Sequence, residues 1–506
     1  MKQKRSISIS LLFICLFGLI APVLSGCASG VADNTVFSVD DLPGKTIGVQ
    51  LATTGDIYAS DYEGDDEGTV IERYNRGADA ISSLKQGKID CVIIDEEPAK
   101  AFVSRNPDLM ILDEEFVTED YAGVIAKENT ELLGSVNAAL EELMADGTLD
   151  KIKNNYIADE KTGETTAFVY EKTVTEGPAL VIATNATFPP YEYYENGEMV
   201  GIDIDIAAAV SDKLGRTLRV ENMEFDAIIS AVASGKADAG FSGFTVTEDR
   251  KKQINFTDSY TTSRQVIVVR NGENASGIEG LKDRFYKNFA EDGRWKYLAQ
   301  GLLNTLIITV AALLIGSLLG FLIAMVRVAY DKNGTCKALN LICRLYVTVI
   351  RGTPMMVQLL IIYFVIFASV DISKIVVAII AFGLNSAAYL SEVIRSGIMS
   401  IDPGQFEAGK SLGLGFGTMM REIILPQALK NVLPAIGNEF ISLLKETSIS
   451  GYIGLQDLTR GGDIIRGITY EPFLPLLTVA LVYLILVILL SAGVRKLEAS
   501  LKKNER

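Results

Sequence analysis

The stretch ALVIATNATFPPYEYYENGEMVGIDIDIAAAVSDKLG, residues Ala179–Gly215, decides the fold. Its apolar opening predicts a buried strand, Phe188-Pro189-Pro190 forces a loop, Asn196-Gly197 marks a hairpin, and an amphipathic helix follows. Downstream, EFDAIISAVASGKADAGFSGFTVTEDR (Glu224–Arg250) leads into a strand at Gln265–Arg270. Upstream, LPGKTIGVQLATTGD (Leu42–Asp56) predicts a strand ending in a Thr-Thr-Gly turn. Ala78–Gly87 follows as a helix, and KIDCVIIDEEPA (Lys88–Ala99) predicts a buried strand ending at Asp95. Residues Asp108–Asn129 and a helical pattern over Glu131–Tyr156 complete this part, and the polar stretch 158–177 reads as a linker. Strands alternating with helices indicate α/β layers.

The chain has 506 residues, 49% of them hydrophobic and 22% charged, with 47 basic and 63 acidic side chains. Residues 1–300 hold 29 Lys+Arg against 50 Asp+Glu, and residues 301–506 hold 18 against 13. An acidic, soluble-looking half therefore precedes an apolar, slightly basic one. The acidic balance argues against nucleic acid, which requires a basic footprint. The sequence contains 0 histidines, which excludes imidazole-based triads and His-ligated metal sites. The acidic cluster Asp61–Glu67 lacks calcium-loop spacing, so no metal and no cofactor is expected.

In the apolar half, long hydrophobic stretches run over Leu302–Val326, Met355–Ala368, Ile375–Ile394, Ala428–Leu444 and Phe473–Val494. At roughly 20 residues per crossing, these predict about five membrane helices, with Leu339–Val349 extending the second. Basic residues after the first and third stretches and at the C-terminus place those ends in the cytoplasm. Phe285, Phe289, Trp295 and Tyr297 suggest an interfacial segment before the first span. At the start, MKQKR and an apolar run to Val23 read as an export signal.

Three stretches carry family resemblances. Leu24-Ser25-Gly26-Cys27 resembles a bacterial lipobox, which implies lipidation at Cys27; an uncleaved anchor is the other reading. SIDPGQFEAGKSLGLGFGTMMREIILPQA (Ser400–Ala428) resembles the EAA loop of ABC importer permeases, and RGTPMMVQLLIIYF (Arg351–Phe364) is similar to the signature of polar-amino-acid permeases. The resemblance implies that Glu407, Ala408, Gly409 and Gly413 dock onto a cytoplasmic ABC ATPase dimer, with the permease itself a homodimer in the membrane lipid. GQFEAGKS within the same loop fits a phosphate-loop pattern letter for letter, but it lacks the preceding buried strand that such a loop requires.

The acidic half resembles the two-lobed periplasmic-type binding proteins for polar amino acids. Its blocks stand in an unusual order: the GKTIGVQ block of the second lobe precedes the TNATFPP block of the first, and SGIEGLKD (Ser276–Asp283) resembles the start of another second lobe. A circularly permuted domain accounts for this, since domain termini lie close together. A lobe swap between two copies and a gene-model error are the alternatives. The resulting organisation is a signal peptide with lipobox over 1–27, the second-lobe half plus C-terminal helices over 36–157, a linker over 158–177 and the first-lobe half over 178–272. A linker and interfacial segment over 273–300 and a permease domain over 301–498 complete it.

By matching positions, the resemblance implies an amino-acid clamp. Arg250 takes the α-carboxylate, a task suited to the planar guanidinium fork, and Asp95 takes the α-ammonium. Ser242, Gly243 and Thr245 surround the carboxylate, while Thr53 and Thr54 close from the second lobe. Phe188 and Phe225 sandwich the side chain, and Asn185 favours an uncharged polar one. The expected function is a membrane subunit of an ATP-driven polar-amino-acid importer with a fused receptor, and not an enzyme. The rivals are an amino-acid-gated channel or chemosensory receptor and, more distantly, a dehydratase.

Overall fold

The computed structural model describes residues 34–503 except 65–66, 115, 159–163, 196, 272–280, 369, 371, 470 and 472. The signal segment, Cys27 and the first residues of SGIEGLKD therefore lie outside the described residues.

Eleven strands are described: β1 Thr46–Gln50, β2 Val70–Tyr74, β3 Cys91–Asp95, β4 Leu109–Ile111, β5 Val117–Ala126, β6 Ala179–Thr184, β7 Tyr193–Glu195, β8 Glu198–Val200, β9 Thr217–Asn222, β10 Ala239–Gly240 and β11 Ile254–Arg270. All except the β7–β8 hairpin join one sheet, in the order β2-β1-β3-β11-β5-β10-β6-β9, with β4 on β11. β1, β2 and β3 pair in parallel and form the second lobe; β6, β9 and β10 form the first. The antiparallel pair β5–β11 connects them. The all-apolar beginning of β3 is buried at every residue, as a parallel strand covered on both faces requires, and Cys91 is one of these core residues.

Helices α1 Thr54–Ala59, α2 Gly77–Lys85 and α3 Glu96–Arg105 belong to the second lobe; α6 Ile202–Lys213, α7 Phe225–Ala233 and α8 Glu248–Gln253 belong to the first. Two helices that precede the linker, α4 Thr130–Ala145 and α5 Thr148–Tyr156, share a core with the first lobe. Leu132, Val136, Leu140 and Ile152 cluster with Ile202, Ile206 and Val210 of α6. The described part of 158–177 has no regular structure and is tied to α6, where Asp212 accepts from Thr173 N at 2.7 Å and Val174 N at 3.0 Å.

The second half is helical: α9 Trp295–Asn333, α10 Lys337–Gly352, α11 Met355–Ile361, α12 Lys374–Met399, α13 Pro403–Ser411, α14 Leu425–Glu446, α15 Leu458–Thr469 and α16 Phe473–Lys503. Among the described residues, three helices (α9, α12, α16) are long and apolar enough to cross a membrane, and four spans result if α10 and the helix from Met355 count as one. This is fewer than the five read from sequence. Leu339–Val349 does not simply prolong the second stretch, because the chain bends by 108° before Met355; Pro354 disfavours a helical Thr353 and breaks the axis. The fourth stretch, in α14, contains Lys430, Asn431, Pro434 and Glu439, which dilute its hydropathy.

α12 begins at Lys374, whose ammonium lies 2.6 Å from Glu221 of β9. With 26 residues it runs about 39 Å, so α13 starts at the end of the helical domain remote from the lobes. Close packing joins α9 to the turn before α15: a Cβ on Gly301 would lie 2.3 Å from the Asp457 carbonyl oxygen. Gly301→Val should therefore destabilise the chain by about 1–3 kcal/mol, seen as a lower unfolding midpoint in detergent. Gly134→Ala, which meets open space on α4, should hold or raise that midpoint.

Candidate functional site

The two lobes meet over a narrow cavity of about 10 Å³ lined by Gln50, Thr53, Thr54, Asp95, Asn185, Phe188, Glu192, Phe225, Ser242 and Gly243. Each residue arrives from the end of an element. Gln50 and Asp95 terminate parallel strands β1 and β3, Thr53 and Thr54 open α1, Asn185 follows β6, and Phe225 opens α7. Carboxyl ends of parallel strands and amino ends of helices converge at such clefts, where unpaired N–H groups are available to a ligand.

Eight of the ten residues expected from sequence line this cavity, and Arg250 and Thr245 do not. Arg250 lies one layer deeper, 8% exposed. Its Nη1 donates to the Thr245 carbonyl at 2.9 Å, and its Nη2 crosses to the Ala52 carbonyl of the second lobe at 2.6 Å. The guanidinium sits 5.8 Å from the Phe225 ring centre and 5.6 Å from that of Phe244. Those rings stack at 4.7 Å, and Phe225 both lines the cavity and contacts the arginine. Asn185 is buried, and its amide donates to the Met223 carbonyl at 2.7 Å.

Sequence reasoning missed the carboxylates around this core. Ser242 Oγ donates to Glu192 Oε1 at 2.6 Å, Gly243 N donates to Asp203 Oδ2 at 2.7 Å, and Tyr260 Oη donates to the same oxygen at 2.9 Å. Thr245 Oγ1 donates to Glu119 Oε2 at 2.7 Å. Tyr121 Oη donates to Asp95. Ser242, Gly243 and Thr245, expected to surround a carboxylate, are thus each held by an acidic side chain. Burial raises Asp95 to about 6, against hydrogen bonds from Tyr121 and Gln265. Burial and the neighbouring Asp95 raise Glu119 to about 7. Burial raises Asp203 to about 7, against bonds from Gly243 and Tyr260, and drives Glu192 well above the carboxylate range, with Asp203 adding to the effect. The signal for Glu192 was present in FPPYE, directly after the loop, but nothing local distinguishes it from a surface acid.

At the far end of the helical domain, α13 is capped by Asp402, which accepts from Gly404 N at 2.7 Å. Glu407 and Ala408 face outward, while Gly409 is buried against Met419. Gly413 takes φ +75° at the turn that follows, a conformation that favours glycine. Within the phosphate-loop look-alike, Gly404–Ser411 lies in this helix and has no loop conformation to wrap phosphate.

Comparison with known proteins now places both halves. The description "Bacterial extracellular solute-binding proteins, family 3" matches residues 70–159 and 180–502. The putative glutamine transport system permease protein GlnP of Rickettsia typhi is 40% identical over 210 residues, 41% of this chain and 94% of that protein. The arginine transport system permease protein ArtQ of Bacillus subtilis is 39% identical over 211 residues, with the same coverage of 41% and 94%. A crystal structure of an amino acid ABC transporter with histidines aligns at 38% identity and a TM-score of 0.40, covering 44% of this chain and 100% of that one. With a binding-protein match through its α/β half and permease relatives covered nearly end to end, the chain belongs to the polar amino-acid ABC importer permeases, as a non-enzymatic subunit with a fused family 3 solute-binding domain.

Proposed function

We propose that the two lobes clamp a free amino acid with an uncharged polar side chain, of the glutamine class, and present it to the helical domain for ATP-driven import. The observation that carries this reading is the convergence of Thr53, Thr54 and Asp95 with Asn185, Phe188, Phe225, Ser242 and Gly243 on one cavity between the lobes. In the liganded clamp, Arg250 takes the α-carboxylate together with Ser242, Gly243 and Thr245, and exchanges its bond to the Ala52 carbonyl for one to ligand. Asp95 takes the α-ammonium, Phe188 and Phe225 flank the side chain, and Asn185 sets its polarity. A cavity of about 10 Å³ admits no amino acid, so the lobes open about the β5–β11 connection to load. Asp95 marks the pH limit of the clamp.

The lobes form one circularly permuted domain, a reading supported by strands from both sides of 158–177 in a single sheet. They stand outside the cell, tethered at Cys27 by lipid. Glu407, Ala408, Gly409 and Gly413 stand in the cytoplasm and take an ATPase dimer beneath a permease homodimer. The position of α13, about 39 Å along α12 from the lobe contact, supports opposite faces for receptor and ATPase.

Full-length protein in lipid nanodiscs should bind L-glutamine by calorimetry, and Arg250→Ala should weaken that binding at least about tenfold, as expected for a lost charge-assisted bond. In vesicles, uptake should require both ATP and the ATPase subunit. Amino-acid-gated current without ATP would instead establish the channel reading.

Affinity should fall as pH drops below about 6, by about tenfold per unit once Asp95 is mostly protonated. Stability of the unliganded domain should move in the opposite direction. A carboxyl raised from 3.8 to about 6 binds its proton more tightly when folded, so its contribution is fully present below the unfolded value and is lost as pH rises through about 6. Calorimetry and thermal unfolding at pH 5 and 7.5 measure the two trends.

Glu407→Arg should reduce co-purification of the ATPase subunit and amino-acid-stimulated ATP hydrolysis by about tenfold or more, a loss of about 1.4 kcal/mol, while leaving calorimetric binding intact. Undiminished co-purification would count against the docking role of α13.

A further inference from the structure

Outside the clamp, the lobes and the helical domain meet in a chain of alternating charges that no part of the binding site uses. Arg460 of α15 lies 2.5 Å from Glu224 of the first lobe, and Glu224 lies 2.9 Å from Arg76 of the second. Arg76 lies 3.1 Å from Asp463 of α15, which lies 2.9 Å from Arg466. Arg466 closes the series on Asp79 of the second lobe at 2.5 Å. The order is Arg460, Glu224, Arg76, Asp463, Arg466, Asp79: three cations and three anions, with no like charges adjacent.

The helix contributes Arg460, Asp463 and Arg466, three residues apart and therefore on one face. The first lobe contributes Glu224, just before α7 and the pocket residue Phe225; the second contributes Arg76 and Asp79 at the start of α2. The side chains are withdrawn from water, Arg460 3% and Arg76 7% exposed. Arg76 Nε, Glu224 Oε2 and Arg460 Nη2 are buried without hydrogen-bond partners, so the ion pairs themselves hold these groups. Alone, the helix face carries two positive charges and one negative. Glu224 can neutralise it from the first lobe, but Arg76 has its anion from that lobe only when the lobes are closed on each other. Leaving a buried charge unpaired is strongly unfavourable, so the complete series exists only when both lobes and α15 are together.

We propose that α15 is the element of the helical domain that reads lobe closure, and that it does so through this six-charge series. The proposal rests on the clamp reading above, in which a bound amino acid closes the lobes. Glu224 and Arg76 are the pivots, because each pairs with both the opposite lobe and the helical domain. Arg460, Asp463 and Arg466 act as positioning residues that receive the closed pair. Since coupling between sites is reciprocal, the series that docks closed lobes on α15 also tightens amino-acid binding in the intact chain.

The test uses the full-length chain in lipid nanodiscs. Amide hydrogen exchange is read over Leu458–Thr469, with L-glutamine and the other nineteen amino acids titrated calorimetrically on the same preparation. In the native chain, a bound amino acid should slow exchange of α15. Glu224→Gln and Arg76→Gln should each remove that slowing and weaken binding by a matching factor, about fivefold or more. Glu224→Asp, which keeps the anion that Arg460 and Arg76 share, should retain part of both effects, which a merely structural loss would not. Normal binding together with undiminished ligand-dependent slowing in Glu224→Gln and Arg76→Gln overturns this proposal alone. If none of the twenty amino acids binds the native chain, the clamp reading and this proposal fall together.

Discussion

The antiparallel ladder between β5 and β11 is the constraint on which the α/β half depends. β11 is 17 residues long; it pairs with β5 from Ile254 to Gln265, then with β3 and β4 from Gln265 to Arg270. One strand thus belongs to both lobes. The register shifts between Phe256 and Thr261 locally disrupt the ladder, and such bulges bend and twist a strand. The ladder also fixes the chemistry: Glu119 and Tyr121 of β5 bond Thr245 and Asp95, and Gln265 of β11 donates to Glu119. The same strands that connect the lobes therefore orient the residues that would meet the ligand from each side.

Around the clamp, one arginine confronts several buried carboxyl groups. If all were ionised, Asp95, Glu119, Glu192 and Asp203 would repel one another in a site with little water, and burial raises the pKa of each. Burial shifts each of them toward the protonated form, and the acids accept from Ser242, Gly243, Thr245 and Tyr121. A protonated acid can hold a hydroxyl in place without adding charge, whereas an ionised one would oppose the carboxylate of a zwitterion. The acidic balance of the whole half therefore says little about the charge at these few buried positions.

The legible parts of the sequence were those whose cause is local. Asp95 and Thr53 could be found because an apolar run ends there, and the end of a buried strand is where a side chain reaches a cleft. The turn read at Asn196-Gly197, of which Asn196 lies outside the described residues, is flanked by the paired strands β7 and β8. Glu192 and Asp203 were not legible, since their pairing with Ser242 and Gly243 depends on contacts 40 to 50 residues apart. Arg250 was identified by its motif, but its crossing to the Ala52 carbonyl, 198 residues away, arises only from how the lobes close. In the helical half, hydropathy located α9, α12 and α16, and it overstated α14, where Lys430 and Glu439 lie within an otherwise apolar stretch.

The junction between halves shows why a receptor and permease in one chain still require a specific contact. Covalent connection raises local concentration but does not distinguish an open receptor from a closed one, since either remains tethered. Apolar packing between domains would not discriminate well either, because burial follows area and is largely non-directional. Paired charges in a dry interface behave differently: each is favourable only with its counterpart in place and costly without it. The lobes already contact the helical domain through Lys374 to Glu221 and through the Arg105 bond to the Ile468 carbonyl, each involving a single lobe. The series through Glu224 and Arg76, by contrast, requires both lobes at once. That requirement converts lobe position into an electrostatic difference at α15, next to the turn packed against Gly301 of α9, and α9 in turn packs along α12, the helix leading to α13. Packed helices thus connect α15, which carries the charge series, through α9 and α12 to α13.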